Sequence, residues 1–228
     1  DPAWLEGFCQ GMFALALKHD VALVGGDTTR GPLTIGIQIM GLVPHGQALK
    51  RAGARPGDRI YVTGLLGEAA LGLRVTQGQL KLPDEFLANV LTQFNRPLPR
   101  VPVGLRLRGL ASACIDISDG LAADLGHILA ASAVGARIHL KRLPLSPAYD
   151  VAFEQVGWQA ALAGGDDYEL CFTIPPAQET AFRIASAQFG VPCSYIGDIE
   201  AEPWLRIVDE QGALYAPEQS GFDHFRVD

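Results

Sequence analysis

Little in this sequence would place the chain in a membrane or on nucleic acid. No run approaches the roughly 18 apolar residues that a membrane-crossing helix needs. No basic stretch followed by an apolar one stands at the start, so no leader is expected. Cationic side chains are in the minority: Lys and Arg number 18 against 25 Asp and Glu, a net charge of −7. Phosphate backbones are bound by basic surfaces, so nucleic acid is not the expected partner. Cysteine is scarce. Cys9, Cys114, Cys171 and Cys193 form no C-x-x-C pair, and the five histidines are scattered. Neither a disulfide framework nor a His/Cys metal site is expected, and reduced cysteines suit a cytoplasmic protein. Also missing are the G-x-x-x-x-G-K-[ST] and G-x-G-x-x-G phosphate loops, the G-x-S-x-G elbow and the protein-kinase signatures. An initiating Met is absent too: the chain begins Asp1-Pro2-Ala3, the start expected of a processed product or a fragment.

What is present reads as a folded globular chain. Its 228 residues allow one large domain or two small ones, and 48% are hydrophobic. Residues 4–17 carry apolar side chains at helical spacing. Residues 21–24 and 33–43 read as strands, the second by its alternation of Leu33, Ile35, Ile37 and Ile39. Pro44 to Gly57, rich in Gly and Pro, reads as a connection. Strand patterns follow at 59–63, 112–117, 137–140, 170–174, 194–199 and 205–208. Helical patterns lie at 104–110, 119–134, 146–156 and 175–189, after a turn into a helix over 64–72. Alternating strands and helices give the class α/β or α+β.

The acids are unevenly placed. Asp27 follows Gly25-Gly26. Asp116 and Asp119 fall in Asp116-Ile117-Ser118-Asp119-Gly120. Asp166, Asp167 and Glu169 follow Gly164-Gly165. Turns at strand ends are where α/β proteins bind ligands. Carboxylates there either cap helices, as Ser118 or Asp119 could, or hold a hard cation such as Mg²⁺ against substrate phosphates. Gly64-Leu65-Leu66-Gly67 reads as an ordinary tight turn, and His127, three residues after Asp124, as its hydrogen-bonded structural partner. Arg30 and Arg51 are the nearest cations in sequence and suit phosphate oxygens.

Three segments in order and in register resemble the bacterial thiamine-monophosphate kinases. They are Val24-Gly25-Gly26-Asp27-Thr28-Thr29-Arg30-Gly31-Pro32-Leu33, Asp116-Ile117-Ser118-Asp119-Gly120-Leu121 with Asp124 to Ile128, and Ala163-Gly164-Gly165-Asp166-Asp167-Tyr168-Glu169-Leu170. Lys50 to Asp58 and Gly221-Phe222-Asp223-His224-Phe225 fit as well. The wider aminoimidazole ribonucleotide synthetase-like superfamily shares the Asp-Ile-Ser-Asp-Gly element more loosely.

The resemblance implies a two-domain α/β architecture whose first domain is incomplete here. Residues 1–46 would be the remnant of an ATP- and metal-binding, dimer-forming N-terminal domain, 47–54 a connection and 55–228 the C-terminal α/β domain. It implies ATP-dependent phosphorylation of thiamine monophosphate to thiamine diphosphate with several Mg²⁺ ions, in a cytoplasmic homodimer. By matching motif, Asp27, Asp116 and Asp119 would bind metal. Gly26, Asp27, Arg51 and Ser118 would meet the nucleotide, and Asp166 and Phe222 the acceptor. The family usually has Glu where Asp166 stands and often Tyr where Phe222 stands. A non-catalytic nucleotide-binding module, or a related ATP-dependent synthetase, is the alternative reading.

Overall fold

A computed structural model describes residues 1–219 and 221. The chain divides into two compact units, Asp1–Val43 and Pro44–Asp228.

The first unit is built on helix α1, Pro2–Lys18. Asp1 caps it, accepting from the Ala3 amide at 2.9 Å, and Pro2 occupies the first turn, where its missing N–H costs nothing. Trp4 and Phe8 stack one turn apart, ring centres 5.6 Å from each other. The two expected strands, 21–24 and 33–43, are not formed. Leu33, Ile35, Ile37 and Ile39 keep their alternation but stay exposed. Alternation selects a pleated conformation only when a neighbouring strand takes up the backbone hydrogen bonds, and among the described residues none does.

The second unit carries the remaining elements. In chain order they are β1 (Arg59–Thr63), α2 (Glu68–Thr76), α3 (Asp84–Asn95), α4 (Val101–Leu107), β2 (Ala113–Ile117) and α5 (Leu121–Ser132). Then come β3 (Gly135–His139), α6 (Pro147–Val156), α7 (Gln159–Ala163), β4 (Glu169–Ile174), α8 (Glu179–Ser186), β5 (Cys193–Glu200) and β6 (Leu205–Val208). The strands form one six-stranded sheet in the order β2-β4-β1-β5-β3-β6. Every pairing is antiparallel except β3 with β6. The mixed class expected from the alternation of elements is therefore the one observed. Helices α3 and α7 were not expected, although Phe86, Leu87, Val90 and Leu91 give α3 a helical stripe behind Pro83.

Period-two alternation divides the side chains between two cores. Ile60, Val62 and Cys171 join Leu66, Leu71, Leu121, Leu125, Ile128 and Tyr149 on one face. Tyr61, Phe172 and Ile174 join Val103, Leu107, Phe182 and Phe189 on the other, beneath α4 and α8. Each large side chain fully buried this way contributes about 1.5–3 kcal/mol.

At the edge of the second core, Glu179 accepts from Tyr61 Oη at 2.7 Å, Arg59 Nη1 at 2.9 Å and Arg183 Nε at 3.2 Å. Burial alone would raise this carboxyl. The hydrogen bonds from Tyr61 and Arg183 and the two guanidinium charges outweigh it and hold the group below its ordinary 4.5. A depressed carboxyl contributes stability above its unfolded pKa and loses it as pH falls through its folded value. Glu179→Gln is therefore expected to cost about 1 kcal/mol near neutrality. Melting curves of wild type and variant should draw together below a pH of about 4.5.

Candidate active site

Three turns meet at one end of the sheet. Strand β1 ends at Thr63 and β2 at Ile117, while β4, which runs between them in the opposite direction, begins at Glu169. The register fixes the meeting, since Ile117 faces Glu169 and Val62 faces Cys171. Residues 64–67, 118–120 and 164–168 therefore lie side by side, each following or preceding a buried strand.

The acids gathered there fall into two groups. Three of them are turned inward and held by hydrogen bonds. Glu169 is 5% exposed and accepts from Arg100 through both Nε, at 2.7 Å, and Nη2, and from Thr63 Oγ1 at 2.5 Å. Asp167 reaches across 100 residues of sequence to the start of α2, taking the Gly67 amide at 2.8 and 3.0 Å on its two oxygens. Gly67 has no side chain with which to cap that helix, so Asp167 acts as its cap. Burial pushes the Asp167 carboxyl up to about 8, against the downward pull of the Gly67 and Ala69 amides. Asp124 is buried in the first turn of α5, and its Oδ2 accepts the Ser118 amide at 2.9 Å and the Asp119 amide at 3.0 Å. Burial raises this carboxyl while those two amides hold it down.

Two sequence expectations are corrected here. His127 is exposed and is not the partner of Asp124, which turns back toward the loop and not forward along the helix. Nor do Ser118 or Asp119 cap α5. Gly120 takes the cap position, and the loop amides are satisfied by Asp124. The plain-turn reading of residues 64–67 agrees with the geometry, because the Gly67 N–H is committed to Asp167.

The second group faces out. Asp116 is exposed on β2, where Ile115 and Ile117 take the inward positions. Asp119 is half-buried and Asp166 exposed. Among the described residues none of the three carboxylates forms an ion pair, and the single side-chain hydrogen bond to them comes from Tyr168 Oη to Asp166 Oδ1 at 3.2 Å. The Tyr168 phenol is held above its ordinary value, first by burial and then by the charges of Asp166, Asp116 and Asp119. One side chain thus lies within electrostatic reach of all three acids.

The two acid turns are pressed together closely enough to require glycine. A Cβ on Gly120, at φ +119°, would lie 2.7 Å from Ala163 Cα. One on Gly165, at φ +64°, would lie 2.8 Å from the Ser118 carbonyl oxygen. Backbone bonds seal the contact: the Asp166 amide donates to Ser118 O and the Tyr168 amide to Ile117 O, both at 2.8 Å. Asp166 and Tyr168 both sit in the left-handed region, at φ +59° and +49°. Each such residue costs about 1–2 kcal/mol, borne here by the surrounding bonds. The backbone of Gly221 packs against Ala123 and the Asp119 carbonyl.

Asp116, Ser118, Asp119 and Asp166 are therefore brought together. Arg51 lies along the outer edge of β2, where the adjacent Lys50 carbonyl accepts from Cys114 N at 2.9 Å, and its side chain is exposed. Gly26 and Asp27 belong to the first unit, both exposed, with Asp27 Oδ1 accepting its neighbour Thr28's amide at 2.8 Å. Phe222 lies outside the described residues. Sequence reasoning did not find Arg100, whose partner is 69 positions away. The residue pattern grouped Asp166, Asp167 and Glu169 without separating them, and only the resemblance singled out Asp166.

The donor set suits Mg²⁺. Asp116 and Asp119 offer hard carboxylate oxygens that no cation of the described residues occupies. Among those residues no group of three or more His, Cys, Asp and Glu side chains could hold a metal ion unaided. Mg²⁺ is typically held by one or two carboxylates and completed by phosphate oxygens and water. No helix of the described residues is long and apolar enough to cross a membrane.

The family model for the AIR synthase related protein, C-terminal domain, matches residues 55–210, and that for the N-terminal domain matches residues 1–43. The thiamine-monophosphate kinase of Salmonella typhimurium is 46% identical over 230 residues, 99% of this chain and 70% of that protein. The Escherichia coli K12 enzyme of the same name is 45% identical over 227 residues, with the same coverage. The crystal structure of the Stenotrophomonas maltophilia thiamine-monophosphate kinase superposes with a TM-score of 0.79 at 41% identity, covering 94% of this chain and 69% of that one. AaThiL complexed with AMPPCP and TMP gives 0.64 at 30% identity, covering 78% and 54%. Escherichia coli HypE, a hydrogenase maturation protein, shares the fold at 21% identity and a TM-score of 0.73, covering 96% and 70%.

Proposed function

Because the chain belongs to the thiamine-monophosphate kinases of the AIR synthase related family, we propose that it transfers the γ-phosphoryl group of ATP to thiamine monophosphate. The products are thiamine diphosphate and ADP. One observation of the fold carries this reading: three outward carboxylates, Asp116, Asp119 and Asp166, stand at one sheet end where Asp124, Asp167 and Glu169 are each committed to hydrogen bonds within the fold.

Phosphoryl transfer between two anions asks for positioning and charge neutralisation and needs no covalent nucleophile on the protein. Asp116 and Asp119 would hold Mg²⁺, which would supply the positive charge that screens donor and acceptor phosphates from each other; the Asp27 turn of the first unit, taken by itself, is likewise read as a metal-binding turn. Ser118 lies in the same turn as those two acids and contacts the nucleotide, as does Arg51; Gly26, in the Gly25-Gly26-Asp27 turn of the first unit, is read separately as a nucleotide contact. Asp166 faces the acceptor, whose thiazolium charge a carboxylate complements, and Phe222 contacts the same ligand. Asp124, Asp167 and the Arg100–Glu169 pair do none of this directly; they hold the two turns in place. The proposed division places residues 1–46 in the N-terminal domain, 47–54 in the connection and 55–228 in the C-terminal domain, in a cytoplasmic homodimer.

The test is ADP release from ATP and Mg²⁺ with thiamine monophosphate, selenide or an aminoimidazole precursor as the third component. Release is expected with thiamine monophosphate alone, matched mole for mole by thiamine diphosphate, and is expected to stop on chelation. ADP release that ignores thiamine monophosphate, or that follows one of the other two compounds, would overturn the assignment.

A further inference from the structure

Tyr168 takes part in neither hydrophobic core and is 41% exposed, yet its backbone is bent into the left-handed region. That is an expensive place for an aromatic residue, and such strain persists where surrounding structure enforces it and a site makes use of it. Its consequence here is directional. A regular extension of β4 would put residue 168 on the face of Leu170, against the core beneath α4. The left-handed turn instead leaves the side chain outside that core, and its hydroxyl donates to Asp166 Oδ1 at 3.2 Å. The backbone amides of both residues are fixed to β2 and its turn, so the geometry of the pair is set from below. An exposed carboxylate on a two-rotor side chain would otherwise sample several orientations. With one oxygen engaged by the phenol, the other has no side-chain partner among the described residues. A phenol is a donor near neutrality, and burial first, then the neighbouring acids, hold this one above its ordinary value.

We propose that Tyr168 is a positioning residue for the phosphate acceptor: its hydroxyl holds the Asp166 carboxylate in the orientation that receives the acceptor's cationic heterocycle. This rests on the reading of Asp166 as an acceptor contact. It also accounts for an aspartate serving at this position, since the shorter side chain keeps its carboxylate within reach of the phenol two residues on.

Tyr168→Phe keeps the ring and deletes only the donor. Steady-state kinetics are compared for wild type, Tyr168→Phe, Asp166→Asn and the double variant, with the acceptor's Kd measured by calorimetry in parallel. Tyr168→Phe is expected to raise KM and Kd for thiamine monophosphate about fivefold, the worth of one net hydrogen bond. It should change kcat less than about twofold and leave KM for ATP unmoved. In the Asp166→Asn background the same change should add nothing. Acceptor affinity within twofold of wild type in Tyr168→Phe, or a full additive effect in the double variant, would overturn the positioning role while leaving Asp166 in place. An Asp166→Asn variant with unaltered acceptor affinity would instead remove Asp166 from the acceptor side, and this role with it.

Discussion

Arg100→Met is expected to be the most destabilising single change at the site, by about 3–5 kcal/mol. Arg100 and Glu169 are 17% and 5% exposed, so the pair is largely out of water. Bringing two charges in costs more solvation than their attraction returns unless every lone pair is used. Here Glu169 is served by two guanidinium nitrogens and the Thr63 hydroxyl. Methionine fills comparable space and leaves that carboxylate with Thr63 alone. At roughly 2–4 °C per kcal/mol for a chain of this size, the thermal midpoint should fall by about 10 °C. The informative companion is Arg100→Met with Glu169→Met. Two apolar side chains of similar volume leave no charge stranded, so the double variant should recover most of the loss. A single variant within about 1 kcal/mol of wild type would show that the pair is not the fastener of this sheet end.

The same pair shows where sequence reading stops. Strands 59–63 and 205–208 and the cores of the other four are local patterns, and the structure repeats them within a residue or two. The Gly-Gly-Asp and Asp-Ile-Ser-Asp-Gly turns are local as well, and two of them are found side by side. What the residue pattern by itself does not say is which acid in a cluster faces out; the resemblance alone singled out Asp166. Asp166 and Asp167 are adjacent and chemically alike. They are separated by a left-handed backbone angle at one and, for the other, a helix start 100 residues earlier that lacks a cap of its own. The pairing expected between Asp124 and His127 rested on helical spacing alone. It lost to two unsatisfied amides at the helix entrance, which a carboxylate serves better. Residues 33–43 show the converse limit: their alternation is plain, but a strand is a property of two segments, and the pattern names only one.

Asp119→Asn is expected to lower kcat/KM for phosphoryl transfer by about 10²–10³-fold, equivalent to about 3–4 kcal/mol of transition-state stabilisation. The amide keeps the shape of the side chain and one oxygen but removes the negative charge that a hard cation requires. Fold stability should be almost untouched, within about 0.5 kcal/mol, because the Asp119 side chain has no partner among the described residues. What ties this position to the fold is its backbone amide, bonded to Asp124. Raising the Mg²⁺ concentration should recover part of the rate in the variant and little in the wild type. The contrast with Asp124 makes the reading exacting. Five residues further on, the same substitution removes a buried carboxylate that holds two amides at 2.9 and 3.0 Å, and there the loss should register in the melting curve first. One acid whose removal leaves the fold intact and another whose removal does not would separate metal binding from loop support. Full activity in Asp119→Asn would refute the metal role of this turn, whatever its likeness to the family.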